Sequence, residues 1–278
     1  MSNASIIANN LTIGYADSSR KSKVESRKIV QRDLSFSLLE GEMVCMLGPN
    51  GCGKSTLLRT LAGLQPALSG EYNLSPSLQG RRTVGDRPNR ETGEASKNIA
   101  LVLTERLSMD HTTVHDVVAL GRYPYSSFLD GLKPEDETII REAIQQVGFQ
   151  ESKVESQKSK DENILETPFN AHSDGEKQRI LIAKALAQQT PIILLDEPTA
   201  HLDLPHRILI LRLLRRLAHE QRKTILISTH ELDLALALSD RILLMTPNKG
   251  VQLDTPENLK KANAFTSAFG MDIFNPLG

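Results

Sequence analysis

Short apolar runs rich in valine, isoleucine and leucine alternate along this chain with longer segments whose apolar positions recur every three or four residues. The runs have the length of strands. They predict β-structure at Leu11–Tyr15, Leu34–Leu38, Met43–Leu47, Ile99–Leu103, Ile192–Asp196, Thr224–Ser228 and Arg241–Met245. The spaced segments predict helices at Lys54–Ala62, Val114–Leu120, Glu135–Val147, Gly175–Ala187, Arg207–Ala218 and Leu232–Leu238. In the third of these, Ile139, Ile140, Ala143, Ile144 and Val147 share one face, while Pro134 and the acidic turn Glu135–Glu137 suit a helix start. Strands and helices in alternation are the rhythm of a parallel sheet wrapped by helices, so the fold class is α/β. The stretch Ile99–Leu165 is mostly helical between two groups of strands and is expected to form a smaller subdomain.

Three stretches break the pattern: Ala16–Lys28, Tyr72–Asn98 and Glu151–Glu162 are polar, charged or rich in Gly, Ser and Pro, and read as loops. The 278 residues carry 33 basic and 34 acidic side chains, a net charge of −1, so nothing in the charge points to nucleic acid or a lipid surface. Two cysteines, Cys45 and Cys52, make no disulfide framework, which fits a reducing, cytoplasmic setting. No apolar run approaches the ~18 residues of a membrane span, and Met1–Ser5 does not open a secretion signal. Work at a membrane would therefore go through another protein.

Three features carry chemistry. Gly48-Pro49-Asn50-Gly51-Cys52-Gly53-Lys54-Ser55, followed by Thr56, matches the phosphate-loop pattern and lies between a predicted strand and a predicted helix. Its glycines let the backbone wrap phosphate oxygens, and the helix N-terminus and Lys54 supply positive charge. The Ser55 hydroxyl can ligate Mg²⁺. Next, the apolar strand Ile192–Leu195 ends in Asp196 and Glu197. Such a strand delivers Asp196 to a sheet edge where it can hold Mg²⁺, and Glu197, expected to face the other way by strand alternation, is placed to polarise a water. Finally, His230 ends the run Thr224–Thr229, on the same edge, where an imidazole can hydrogen-bond a γ-phosphate and hold Glu197 and the water in line. Glu197, His230 and Lys54 are thus the expected catalytic groups.

The block His172-Ser173-Asp174-Gly175-Glu176-Lys177-Gln178-Arg179 precedes the carboxylate strand by some twenty residues. It resembles the LSGGQ signature of the ATP-binding cassette (ABC) family. With the phosphate loop, Asp196-Glu197, Ala200-His201-Leu202-Asp203 and His230 in the family's order, the resemblance runs from about Ile6 to Leu259. It implies a phosphate-loop core with a mostly parallel sheet, an antiparallel β subdomain and a helical subdomain near residues 104–190. Residues 1–259 would then be one nucleotide-binding domain, with 260–278 a tail. It also implies that Tyr15 stacks on adenine, that Ser173 and Gly175 close on the γ-phosphate held by a second copy, and that Asp203 communicates between the two sites. The segment Thr113–Tyr125 resembles the part of iron-chelate, haem and cobalamin importers that engages the permease. The implied assembly is a homodimer sandwiching two Mg·ATP, with two permease subunits and a substrate-binding protein, on the cytoplasmic side of the inner membrane. No nucleic-acid partner is expected.

The sequence departs from the family at two places. Thr104 and Glu105 stand where a glutamine is usual; either Glu105 takes over contacts to the metal and its waters, or water completes the metal's shell. In the signature, His172 and Asp174 replace leucine and glycine. A carboxylate there repels a triphosphate unless Asp174 turns away to cap its own helix. Two alternatives stay open at this stage: a soluble cassette ATPase associated with DNA or ribosomes, and a weakly hydrolysing nucleotide sensor.

Overall fold

The strands divide between two sheets. The computed structural model describes residues 3–16, 27–75, 81–83, 97–103, 111–125, 131–149, 164–247 and 250–270. Its strands are β1 (Ala4–Ala16), β2 (Arg27–Leu39), β3 (Met43–Leu47), β4 (Ser69–Leu74), β5 (Arg81–Thr83), β6 (Ile99–Val102), β7 (Ile192–Asp196), β8 (Thr224–Ser228), β9 (Arg241–Thr246) and β10 (Gly250–Asp254). Its helices are α1 (Lys54–Leu61), α2 (Val114–Ala119), α3 (Pro134–Gln146), α4 (Asp174–Ala187), α5 (Leu204–Gln221), α6 (Leu232–Leu238), α7 (Pro256–Lys261) and α8 (Ala264–Phe269).

β3 and β8 are buried along their whole length, as strands covered on both faces must be. They form the middle of a six-stranded sheet in the order β10-β9-β3-β8-β7-β6, parallel except for the β9–β10 hairpin. An antiparallel sheet, β2-β1-β4-β5, covers one face of it. There Val44, Met46, Ile192, Leu194, Leu226 and Met245 meet Ile6, Leu11, Ile13, Leu34 and Leu38 around α1. On the other face α2, α3, α4 and α5 pack over Ile193, Leu195, Ile225 and Ile227. This is the α/β arrangement expected from the alternating pattern, with the antiparallel sheet that the family resemblance implies.

Several elements exceed the sequence reading. β1 and β2 reach well beyond Leu11–Tyr15 and Leu34–Leu38. Tyr72–Leu74, read as the start of a loop, closes β4; Arg81–Thr83 forms β5; and Arg27 and Lys28 open β2. Apart from Ala16, Ser75, Lys97 and Asn98, the remaining parts of those predicted loops, and all of 151–162, lie outside the described residues. From Lys260 on, where a tail was expected, α8 packs Ala264, Phe265 and Ala268 against Cys45, Leu47, Ile242 and Leu244. Among the described residues no helix is long and apolar enough to cross a membrane.

Candidate functional site

Parallel strands present their C-terminal ends to one edge, and in such sheets the crevice beyond that edge is where ligands bind. β3 ends in Gly48–Gly53, which turns straight into α1. Two glycines are required sterically. A Cβ on Gly48 would lie 2.6 Å from the Met245 carbonyl oxygen, and Gly53, at φ 104°, would place one 2.7 Å from Val30 Cγ1. α1 therefore starts at Lys54 with its free N–H groups turned toward the loop. Lys54 is buried, and its Nζ donates to the carbonyl oxygens of Gly48 (2.9 Å) and Pro49 (3.3 Å), so the ammonium sits over the hollow of the loop. Ser55 is exposed one residue on. Tyr15, 48% exposed at the end of β1, shares a hydrogen bond with Thr56 of α1 (3.1 Å), which sets an open aromatic face beside the loop.

β7 and β8 are in register with Asp196 opposite Ser228. Ser228 is fully buried; its hydroxyl donates to Asp196 Oδ1 (2.5 Å) and accepts from the Glu197 N–H (2.9 Å). Glu197 itself takes a left-handed backbone, φ 47°, and its N–H also meets the Ser228 carbonyl oxygen (3.1 Å). The two carboxylates thus diverge through a turn, not by strand alternation as the sequence reading assumed. The Glu197 carboxylate is paired with His230 Nε2. Ser228 was missed in the sequence; a small hydroxyl closing an otherwise apolar strand, level with an acidic strand end, was its only signal.

The signature block behaves differently from its sequence reading. Ser173, not Asp174, caps α4: its hydroxyl accepts from the Glu176 N–H (3.4 Å), while the Glu176 carboxylate accepts from the Ser173 backbone N–H (3.0 Å) and hydroxyl (2.8 Å), two bonds that hold the carboxyl below the usual carboxylate range. Asp174 is exposed in the first turn, where the helix dipole favours a carboxylate. His172 bonds Thr167 Oγ1 (2.8 Å) and lies edge-on to Phe149. Asp203 caps α5, accepting from the His206 N–H (3.2 Å), and its carboxylate also holds the His206 ring. That ring rests on Gly175, where a Cβ would come 2.9 Å from His206 Cδ2. One residue further, Arg207 reaches Glu231 Oε1 (2.8 Å), tying α5 to the residue after His230. Thr104 and Glu105 lie outside the described residues.

The donors available for a cation here are the Ser55 hydroxyl and the Asp196 carboxylate, both oxygens. No cluster of three His, Cys, Asp or Glu side chains forms a cage among the described residues. A short all-oxygen donor set fits Mg²⁺, which keeps waters and substrate phosphates in its shell.

Cys52 sits inside the loop and is 4% exposed; burial pushes its thiol up, against a smaller pull from Lys54. Complete burial raises Cys45 to about 12. A raised pKa means less thiolate at neutral pH. Iodoacetamide should therefore modify Cys52 more slowly at pH 7 than a free thiol of pKa ~8.5 and accelerate as pH rises through and beyond that range, leaving Cys45 intact. Mass spectrometry of timed samples checks this. ATP should slow the reaction further, and modification at the free-thiol rate would contradict the burial.

A phosphate loop, an acidic strand end and an imidazole gathered at the carboxyl edge of one parallel sheet define a phosphate-loop nucleotide-binding protein. The narrower assignment follows from comparison: the family model for ABC transporters matches residues 31–200, and the chain belongs to that family. The iron(3+)-hydroxamate import ATP-binding protein of Bacillus subtilis is 33% identical over 263 residues, covering 92% of this chain and 87% of that one. A solved ABC transporter described as of the metal-chelate type, in an inward-facing conformation, superposes with a TM-score of 0.75 at 25% identity, covering 97% of this chain and 90% of the other. A dimeric bacterial ABC transporter cassette does so at 0.68, also 25% identical, over 90% and 98%. The resemblance read from the motifs is borne out.

Proposed function

We propose that this chain is the ATP-hydrolysing subunit of an importer for iron-chelate, haem or cobalamin-type cargo, and that it works as a homodimer. The observation that carries the reading is the meeting of Lys54, Asp196, Glu197 and His230 at one sheet edge in a chain whose relatives include an iron(3+)-hydroxamate import protein. Lys54 and the α1 N-terminus bind the triphosphate, and Tyr15 takes the adenine ring. Ser55 and Asp196 would hold Mg²⁺, which when bound neutralises charge on the phosphates. Glu197, oriented by His230, accepts the proton of the attacking water. Ser173 and Gly175 face the triphosphate of the second copy, as in a sandwich dimer, and Asp203 links the two sites through His206. Outside the described residues, Glu105 is proposed to complete the metal's water shell.

Power has to leave the site mechanically. The turn Leu120–Tyr125 exposes Tyr123 and Leu120, and it is clamped to the far end of the signature helix α4. Arg122 donates to Asp136 (2.7 Å) and to the Ala187 carbonyl (2.8 Å), while Tyr125 donates to the Gln188 carbonyl (2.9 Å). A permease pressing on Tyr123 would thereby move Ser173 and Gly175 through one rigid helix. A substrate-binding protein and a position on the cytoplasmic side of the membrane belong to the same proposal, as does the division into one nucleotide-binding domain with a helical subdomain.

The test is phosphate release from Mg·ATP by the purified chain, alone and co-produced with permease subunits of a metal-chelate importer, with and without ferric hydroxamate, haem or cobalamin. Hydrolysis stimulated severalfold by one cargo is expected. Indifference to all three removes the chelate-import reading, and no hydrolysis in either form removes the motor.

A further inference from the structure

Gln31 is a buried amide on β2, set between Val30 and the exposed Arg32. It is 2% exposed and paired in register with Ile13 of β1. Its Nε2 donates to two carbonyl oxygens, that of Cys52 in the phosphate loop (3.1 Å) and that of Thr246 at the end of β9 (3.1 Å). Two acceptors on one side fix the amide's orientation, since the flipped form would set Oε1 against two carbonyl oxygens. The other end, Oε1, is buried with no hydrogen-bond partner among the described residues.

A buried acceptor left unpaired is costly, and an apolar residue at this position would avoid it. The donor end must therefore do something an apolar side chain cannot. It grips the loop between Gly51 and Gly53, whose φ angles of 75° and 104° are left-handed and leave the backbone free to peel away. Gln31 also lies close under Gly53, with its Cγ 3.6 Å from where a Cβ there would sit. It belongs to the strand pair that carries Tyr15 opposite Lys28. One side chain thus ties β2, the partner of the strand bearing the open aromatic face, to the loop bearing the N–H donors.

We propose that Gln31 is a positioning residue for nucleotide binding: its amide holds the Cys52 carbonyl back, so that the N–H groups after it face the phosphates at a fixed distance from Tyr15. The inference rests on the reading of this edge as the ATP site.

The experiment compares Gln31→Leu, Gln31→Met and Gln31→Glu with wild type by ATP titration calorimetry, steady-state hydrolysis and nucleotide-free melting. Gln31→Leu and Gln31→Met should weaken ATP binding and raise KM by about tenfold with kcat nearly unchanged, the scale of leaving one buried carbonyl unpaired. Gln31→Glu, which turns the donor into an acceptor facing two carbonyls, should weaken binding more. Melting of the two apolar variants should shift by less than ~4 °C, because the orphaned acceptor is removed along with the donor. Wild-type affinity in either apolar variant overturns the proposal. So does a loss of affinity that only follows a collapse in melting temperature, for then Gln31 is a folding residue. A wild-type protein that binds no ATP instead removes the site reading itself.

Discussion

Glu197→Gln should cut steady-state ATP hydrolysis by ~10²–10⁴-fold, the usual contribution of a positioned general base, while leaving ATP affinity within a few-fold of wild type. The geometry makes this substitution unusually clean. The Glu197 backbone is locked by the Ser228 carbonyl and hydroxyl, and neither contact involves the side chain that changes. An amide oxygen can still accept from His230 Nε2, so position is kept and only proton acceptance is lost. Binding energy that normally drains away on hydrolysis then accumulates as a closed dimer, visible as an ATP-dependent shift to twice the monomer mass in size-exclusion chromatography. Turnover within threefold of wild type would move the base elsewhere. Retained affinity with lost turnover and no dimer would separate the two halves of the proposal, keeping the base and rejecting the sandwich.

How much of this was legible depended on what kind of force fixes each group. β3, β7 and β8 were readable to the residue because strands buried on both faces must be apolar throughout, and the change to Gly48, Asp196 or His230 at their ends is abrupt. β4 was not, since in Ser-Gly-Glu-Tyr-Asn-Leu only Tyr72 and Leu74 turn fully inward. Nor was β10, whose five residues lie against β9 with none fully buried. α7 had a legible start in Thr255 and Pro256, but its six residues offer too little periodicity to predict. Inside the site, residue types announced the phosphate loop and the acidic pair, whereas orientation did not follow from type. Ser173 caps α4 through a local Ser-x-x-Glu box that residue type and spacing alone would have given, whereas the left-handed turn at Glu197 and the double role of Ser228 come from which strand ends meet in space. Gln31 was invisible for the same reason: its partners are 21 and 215 residues away.

Gly175→Ala should lower turnover by about 10²-fold at unchanged single-chain ATP affinity, because it disturbs only the half of the site offered to the second copy. A Cβ there meets His206 Cδ2 at 2.9 Å and Cγ at 3.3 Å, so the ring must swing away. The His206 side chain is 47% exposed, so it has room to move, and the folded chain should lose little stability. What is lost is the contact between α4 and α5, together with the ring's hold on Asp203, and displacements near 1 Å at such positions are enough to cost ~10² in rate. Stopped-flow binding of a fluorescent ATP analogue and phosphate release measure the two quantities separately. His206→Ala identifies the cause. If the displaced ring is what matters, His206→Ala alone should reproduce the loss, and adding it to Gly175→Ala should change nothing further. If the new methyl instead obstructs the partner's phosphate, His206→Ala should be mild and the double variant as slow as Gly175→Ala. Unimpaired turnover in Gly175→Ala would mean that this helix end does not close on a triphosphate at all, and with it the dimeric form of the motor would fall.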